Sequence, residues 1–547
     1  MKNKMFKTVL ALVMVLSLLV GCSLMFTGCK KADDDDSNTD KNNAAQYEGL
    51  EKEEYLQKLE SNNLSSAVDS FGKVYDKILG GMSSGSANAS FGSKMDLTLN
   101  VGDDLLDMLE QGIFGGDIGD MSFLSKINLN MDMSIKDQME KMQMALSLNG
   151  QKIITLNLLM NMADFVVYGA APDLNDGWIK FDMGAMMPSG SVAGMMGSAA
   201  QMTALFEALP DAETLTKILD TYLDLVLAEL DNVEQATTTL EAGGVRQECT
   251  KLTLKIYEAD AMKIVKSVLT KARDDADLKK IIPDLAKAIE DLTGETIEDA
   301  YGSFQEAIDE LLADLEEDTD MDTENPIILT TYVDKDHKIV GRMLKMSSQD
   351  SDRGTVYYYT VTDGDKIGFE AAIPSDVDDT DDAKVTGSGL KKDGKISGDF
   401  TLSIEDKEFL IVKLQDVDAE SGTVILDPTA ELEKEMGLDE IPFKSLYAEI
   451  KLGTGIELNI MSEQKLLVGL SLKATESDGP ALSEPSNATD ATDSSAMQAW
   501  AEKLVLDKVL DNLEKAGVPS ALIEALESGN LFGGSESSTE YPAPYAA

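Results

Sequence analysis

Side chains able to attack a carbonyl, bind a metal or shuttle a proton are few in this chain of 547 residues, and their surroundings limit what each can do. The single histidine, His337, sits in Asp334-Lys335-Asp336-His337-Lys338, which reads as a polar turn between two strands with a solvated ring. One histidine and three scattered cysteines cannot assemble the usual nitrogen and sulfur ligand set of zinc. Gly81-Met82-Ser83-Ser84-Gly85 spells a nucleophile elbow, but that turn needs a strand before the serine and a helix after it. Here a helix precedes and a loop follows. Asp318, Asp320 and Asp322 alternate like the first ligands of a calcium loop, yet Thr323 stands at the glycine position and Leu329 at the position of the bidentate glutamate. A solvated acidic linker fits that stretch better. With 99 acidic residues some carboxylate pairs are inevitable, so no glycosidase-like pair stands out. Enzyme activity, a cofactor and a metal site are therefore not expected.

The N-terminus carries chemistry of another kind. Lys2, Lys4 and Lys7 precede an apolar run from Val9 to Val20, the charged start and short apolar core of a secretory signal. The run is too short to span a bilayer, which takes roughly 20 apolar residues. It ends in Leu19-Val20-Gly21-Cys22, and a second candidate, Phe26-Thr27-Gly28-Cys29, follows. The first resembles the lipobox of bacterial lipoproteins, whose cysteine is acylated before cleavage. The leading Phe26 fits less well, although the polar stretch from Lys30 suits a mature N-terminus. The resemblance implies a lipid anchor on Cys22, with Cys29 as the alternative, holding the chain to the outer face of a cell membrane of Gram-positive type. Two acyl chains suffice for that, since each buried CH2 contributes about 0.8 kcal/mol.

The formal charge is -52, with acidic residues outnumbering basic ones 99 to 47. Phosphate backbones are held by Lys and Arg, so nucleic acid is excluded as a partner. Adhesion to anionic lipid by charge is excluded as well, which leaves the anchor as the contact with the membrane. A hydrophobic content of 43% allows a large core. Three cysteines make no disulfide scaffold. If Cys22 is lipidated, Cys29 and Cys249 remain and could pair; if Cys29 is, Cys249 is a lone thiol. The alternating run Arg246 to Leu254 puts Cys249 at a packed or half-exposed strand position.

These residues must be carried by strands and helices whose periods are readable. Residues 1–21 form the signal and 22–45 an acidic tether with nothing to bury. The body, 46–475, begins with a helix marked by Leu64, Val68, Phe71, Tyr75 and Ile78. Period two then sets in: Met95 to Val101, Ile127 to Ile135, and Met142 to Leu148 ending at the turn pair Asn149-Gly150, within a meander over 94–183. A Gly, Ala, Ser and Met-rich stretch carries Met186, Met187, Met195 and Met196. A helical insert over 211–316 contains one hairpin turning at Gly243-Gly244; one of its helices is expected to stop at Pro283, and Thr296 with Asp299 suggests a capping box for another. A second meander covers 326–474. A linker at 476–495, a C-terminal helical segment at 496–528 that ends one helix near Gly517, and a disordered tail at 529–547 complete the chain.

One-sided strands need a cover, and the amphipathic helices are available for it. The expected fold is α+β, a large curved antiparallel sheet, half-barrel-like, with helices over its concave face. That layout resembles the LolA and LppX/LprG-type carriers, and also large lipoproteins of unknown function from clostridial-type bacteria. The resemblance covers most of residues 46–475 and implies binding of a lipid or other apolar ligand in a cavity between sheet and helices, although this chain is far longer than those carriers. Methionine adapts to varied apolar partners, so Met131, Met133, Met142 and Met144, with the lid candidates Met186, Met187, Met195 and Met196, are the groove residues expected. Ordinary core packing is the plainer reading of the same residues. The alternative function is a structural or adhesive envelope protein working through contacts with a protein partner that the sequence does not identify.

Overall fold

The computed structural model describes residues 46–83, 91–112, 120–136, 139–183, 205, 208–317, 324–346, 355–373 and 383–527, apart from 163, 165, 295, 419, 439, 440 and 478. Cys22, Cys29, Asp318, Asp320, Asp322, Met186, Met187, Met195 and Met196 lie outside the described residues. Two compact units, each assembled from two stretches of chain, divide the molecule: Met1–Gly85 with Ser189–Pro442, and Ser86–Pro188 with Phe443–Ala547. The fold is α+β, and the expected curved, almost wholly antiparallel sheet is present.

Helix α1 (Lys52–Ser83) opens unit 1. Unit 2 then takes β1 (Phe91–Val101), α2 (Asp103–Gly112), β2 (Lys126–Lys136), β3 (Met139–Leu148), β4 (Gln151–Asn161), β5 (Val166–Ala171) and β6 (Asn175–Asp182). Back in unit 1 come α3 (Ala212–Ala228), the hairpin β7 (Val233–Ala242) and β8 (Val245–Ile256), and helices α4 (Glu258–Arg273), α5 (Leu278–Thr293) and α6 (Ala300–Glu317). Eight strands follow: β9 (Ile327–Val333), β10 (Ile339–Met346), β11 (Thr355–Asp363), β12 (Lys366–Ile373), β13 (Ala383–Lys392), β14 (Lys395–Ile404), β15 (Lys407–Val417) and β16 (Gly422–Pro428), then the short α7 (Ala430–Glu435). Unit 2 is completed by β17 (Leu446–Leu452), β18 (Ile456–Ser462), β19 (Lys465–Glu476), β20 (Ala488–Asp490), α8 (Ser494–Ala501), α9 (Asp507–Lys515) and α10 (Ser520–Glu527).

In unit 1 each strand from β7 to β16 pairs antiparallel with the next. Tyr55, Leu56 and Leu59 of α1 pack with Leu227 and Leu230 at the end of α3 onto Val233, Leu252, Leu254 and Val333, sealing one face of β7 to β9. Glu60 of α1 adds a buried ion pair, its Oε2 accepting from Arg342 Nη2 at 2.6 Å. On the opposite face Leu240, Ala242, Val245, Cys249, Tyr332, Val340 and Val361 form a second core. The sheet curls so tightly there that a Cβ on Gly243, at the β7–β8 turn, would lie 1.8 Å from the Gly387 carbonyl oxygen on β13. With φ at +53° as well, that turn position requires glycine.

Three local expectations need correction. Helix α5 runs through Pro283: the proline sits close to the start of the helix, where one missing N–H breaks only one turn, and Asp275 Oδ1 accepts from the N–H groups of Asp277 and Leu278 to hold that start. Asp299, with φ +45°, accepts from Gly302 N and starts α6, three residues beyond the expected Thr296. The single helix expected up to Gly517 is two, α8 and α9, because the backbone at Val505 leaves the helical path to donate to the Leu174 carbonyl at 2.9 Å; α10 follows beyond Gly517.

Unit 2 is ordered β17-β18-β19-β1-β2-β3-β4-β5-β6-β20, antiparallel throughout except for the β6–β20 pair. The β1–β19 ladder, from Ser93↔Glu476 to Val101↔Val468, joins the two stretches of chain. Leu106, Met121, Phe123, Leu148, Ile153, Ala516 and Val518 make a core where α2, α9 and α10 meet one end of the strands. Residues 476–495, expected as a linker, are instead packed: Leu482 and Ala488 lie against Leu159, Val166 and Tyr168, and Tyr168 Oη donates to Glu484 Oε2 at 3.2 Å.

Candidate apolar binding face

The chain's alternating strands become a surface once their register is known, because successive residues point to opposite faces of a sheet. In unit 2, Met131 stands directly opposite Met144, and Met133 opposite Met142, across the β2–β3 pair. All four methionines expected in a groove and falling on described strands therefore share one face. The rows continue on both sides. Met95 on β1 opposes Met131, and Leu156 on β4 opposes Met144. One row toward the strand end, Ile456, Leu472, Leu97, Leu129, Leu146 and Ile154 stand side by side across six strands. Neighbouring strands are about 4.8 Å apart, so five such spacings make the row about 24 Å long.

Two properties distinguish this face from a finished core. The first is its exposure: Leu156, Leu158 and Met160 on β4 are 40%, 40% and 42% exposed, and Leu458, Leu470 and Leu472 on β18 and β19 are 37–39% exposed. On the reverse side of β4, Leu159 is wholly buried. The second is its composition. Between β17 and β6 the pairings put only three charged residues on it, Glu140, Glu476 and, opposite Ser462 at the far end of β19, Lys465. Lys94, Lys126, Lys141, Lys180, Lys451 and Lys473 fall on the other face.

That other face is polar and hydrogen-bonded. Asn128 donates to Asp96 Oδ1 and, at 2.8 Å, to Thr98 Oγ1, while Asn130 donates to Asn128. With Lys126, Ser147, Ser471 and Lys473 these side chains line an open groove of about 450 Å³. A larger open groove in unit 1, about 740 Å³, runs along α4 between Glu229 and Asp274; Lys263, Lys266, Lys271, Ser267 and Met262 are among the residues lining it. Neither is an enclosed cavity. Among the described residues the apolar surface of unit 2 is an open face; the expectation was a cavity between sheet and helices.

One buried carboxylate, Asp173, braces the sheet of unit 2. Burial alone would raise the pKa of Asp173, but hydrogen bonds from Lys508 and the Thr155 backbone, with Lys152 nearby, hold it below the usual carboxylate range. Tyr168 is pushed up by burial and by Glu484 beside it.

The other sequence candidates lie elsewhere. His337 does stand in the turn between β9 and β10, at φ +59°, but its ring is not simply solvated: Nδ1 lies 2.8 Å from the Tyr55 hydroxyl, and Tyr47 stacks on it at 4.6 Å. Ser83 ends helix α1, so no strand precedes it. Cys249 is buried on β8, with its thiol pKa raised by that burial. No group of three or more His, Cys, Asp or Glu able to hold a metal occurs among the described residues. Nor is any described helix long and apolar enough to cross a membrane. Leu156, Leu158, Met160, Leu458, Leu470 and Leu472 were not singled out from sequence; their alternation was readable, but their adjacency depends on the β1–β19 ladder. No protein-family model matches the chain, and no curated protein matches it.

Proposed function

We propose that this protein is an exported lipoprotein, acylated at Cys22 with Cys29 as the alternative, that works at the outer face of a cell membrane and binds a lipid or other acyl-chain ligand on the apolar face of unit 2. It acts as a binding protein, without catalysis. The observation that carries this reading is the half-exposed apolar face spanning β18, β19 and β1 to β4, which bears methionines and leucines where the reverse of the same strands bears Asn, Asp, Thr, Ser and Lys. An acyl chain suits it because the contact is non-directional and scales with apolar area. The dimensions also suit. A bilayer core of about 30 Å contains two chains end to end, so one chain is about 15 Å long, which is the width of about four strands at their 4.8 Å spacing. Flexible methionine side chains at the centre of the face can adjust to chains of different length.

The test uses the chain from Lys30 to Ala547, made without its leader. The purified protein is extracted with organic solvent and the extract analysed by mass spectrometry, and the stripped protein is titrated with the uncharged fluorophore N-phenyl-1-naphthylamine and then with monolaurin. Stoichiometric lipid, or saturable probe binding displaced by monolaurin, is the expected result. Neither lipid nor displaceable probe would sink the reading and leave the face to another protein.

A further inference from the structure

Helices α1 and α3 of unit 1 run antiparallel and are pinned to each other at both ends. Gln57 Nε2, near the start of α1, donates to the Leu230 carbonyl just past α3 at 3.1 Å, and Tyr75 Oη, toward the end of α1, donates to the Pro210 carbonyl just before α3 at 2.8 Å. Between the pins the helices press so closely that a Cβ on Gly72 would lie 2.7 Å from Thr216 Cγ2. Asp220, one helical turn along α3 from Thr216, meets Ser65 and Asp69 of α1 there. Its Oδ1 is shut off from solvent and has no hydrogen-bond partner. Ser65 gives the carboxyl a hydrogen bond, but the charged groups that act on it are Asp69 from α1 and Asp224 one turn on in α3, both carboxylates. Helix α4, which also packs on α3, brings no charge to it.

An ionised carboxyl placed this way is disfavoured twice, by the water lost around Oδ1 and by two like charges; a protonated one is disfavoured by neither. From this we infer that the α1–α3 contact is an acid-strengthened clasp: Asp220 takes up a proton as the helices close, so that α1, which seals the core over β7 to β9, is held most firmly in mildly acidic surroundings and less firmly as the pH rises. The inference is independent of the apolar face of unit 2. Burial first, then Asp69 and Asp224, push the Asp220 pKa above the usual carboxylate range. With the folded value raised, the full strength of the clasp is present below the unfolded value, about pH 4, and is lost as the pH rises to and through the folded value. On the exported reading, the pH that sets the clasp is that outside the cell.

Hydrogen exchange of the chain Lys30 to Ala547, read by mass spectrometry on peptides from α1 and α3 and corrected for the intrinsic exchange rate, follows the opening of this contact. Asp220→Asn supplies an uncharged side chain of nearly the same shape. At pH 7.5 it is expected to slow the exchange of both helices about threefold or more relative to the parent, and the difference should shrink toward pH 4.5, where the parent's Asp220 takes up its proton. Asp69→Asn/Asp224→Asn removes the two like charges without touching Asp220 and should slow exchange at pH 7.5 in the same peptides. Glu54→Gln, at an exposed position of α1, should leave exchange as in the parent at both pH values. Exchange in Asp220→Asn as fast as in the parent at pH 7.5, or a difference of the same size at both pH values, would overturn the inference. Slowing by Glu54→Gln equal to that by Asp220→Asn would assign the effect to net charge and overturn it as well. Should Asp220→Asn fail to fold, Asp69→Asn/Asp224→Asn decides: slower exchange at pH 7.5 that converges with the parent at pH 4.5 supports the clasp, and unchanged rates refute it.

Discussion

Replacing Leu158 with lysine should weaken ligand binding far more than it weakens the fold, and its neighbour Leu159 supplies the contrast. Fully burying a leucine side chain contributes about 2 kcal/mol. Leu158 is 40% exposed, so about 60% of that, about 1.2 kcal/mol, is at stake. The lysine stem recovers part by lying along the apolar face with its ammonium in water, leaving a loss of about 1 kcal/mol or less. Leu159 is 0% exposed, and Leu159→Ala should cost about 2–5 kcal/mol as a core cavity. Trp178 and Trp500, the two tryptophans of the chain, both lie in unit 2, so their fluorescence in urea follows this unit. With a urea dependence of about 2 kcal/mol per molar, Leu158→Lys should lower the midpoint by about 0.5 M or less and Leu159→Ala by about 1 M or more. In the displacement assay Leu158→Lys should bind monolaurin at least tenfold more weakly, about 1.4 kcal/mol. Leu159 variants that still fold should bind normally. A Leu158→Lys midpoint as low as that of Leu159→Ala would mean that the face is a sealed core. Unchanged binding would mean that it is not the site.

Other consequences are independent of this one. Removing Glu60 leaves Arg342 buried without its carboxylate, so Glu60→Gln should cost about 3–5 kcal/mol, whereas Glu60→Met/Arg342→Met should recover most of it; thermal unfolding by circular dichroism distinguishes the two. Asp173 has a folded pKa below its unfolded value, so its contribution is present above about pH 4 and is lost as pH falls through the folded value. Lys152→Met/Lys508→Met should therefore lower the tryptophan-monitored urea midpoint at pH 7 and differ less from the parent at pH 3. Cys249, the only thiol in the chain from Lys30, should resist Ellman's reagent at pH 8 when folded and react fully in urea, because it is 3% exposed and burial raises its pKa. Radiolabelled palmitate should be incorporated into the full-length chain in a bacterial host and lost in Cys22→Ser but not in Cys29→Ser; the reverse pattern would assign the anchor to Cys29.

The strand alternation was legible because it needs only local sequence: Ile127 to Ile135 and Met142 to Leu148 became β2 and β3, and β3 turns into β4 at Asn149-Gly150 with both residues at positive φ. Less was legible where tertiary contacts override a weak local signal. Helix α2 follows β1 after a single glycine and offers too short an apolar pattern to be separated from the strand. Strand β16, Gly422 to Pro428, was missed because its apolar part is only Val424-Ile425-Leu426 before an Asp-Pro pair, and it is fixed by its ladder to β15. The segment at 476–495 has the composition of a linker, yet Ser134 Oγ donates to the Pro480 carbonyl at 2.6 Å and Ala488 to Asp490 pair with Trp178 to Lys180. A polar segment can thus be bound through its backbone, which composition does not record. Assembly of the candidate face from residues nearly four hundred positions apart was invisible for the same reason.

The arrangement of the two faces of unit 2 argues against surplus hydrophobicity as the source of the exposed leucines. This chain has acidic side chains in abundance, and on these strands it uses Asp96, Asp132, Glu449 and Glu457 on the polar face together with most of its lysines. A scatter of exposed apolar residues is normal on protein surfaces, but a contiguous patch rimmed by polar groups is the mark of an interaction site. Leaving such a face in water forgoes burial free energy that an occupant would supply. Because a ligand that binds only the folded state stabilises it by RT ln(1 + [L]/Kd), about 2.7 kcal/mol at a hundredfold excess over Kd, occupancy should raise the tryptophan-monitored urea midpoint of unit 2. At about 2 kcal/mol per molar that rise is about 1.3 M. Monolaurin at a concentration a hundredfold above its displacement constant should produce it in the parent chain and a much smaller one in Leu158→Lys, and a midpoint that stays fixed in the parent would mean that the compound is not held by the folded face.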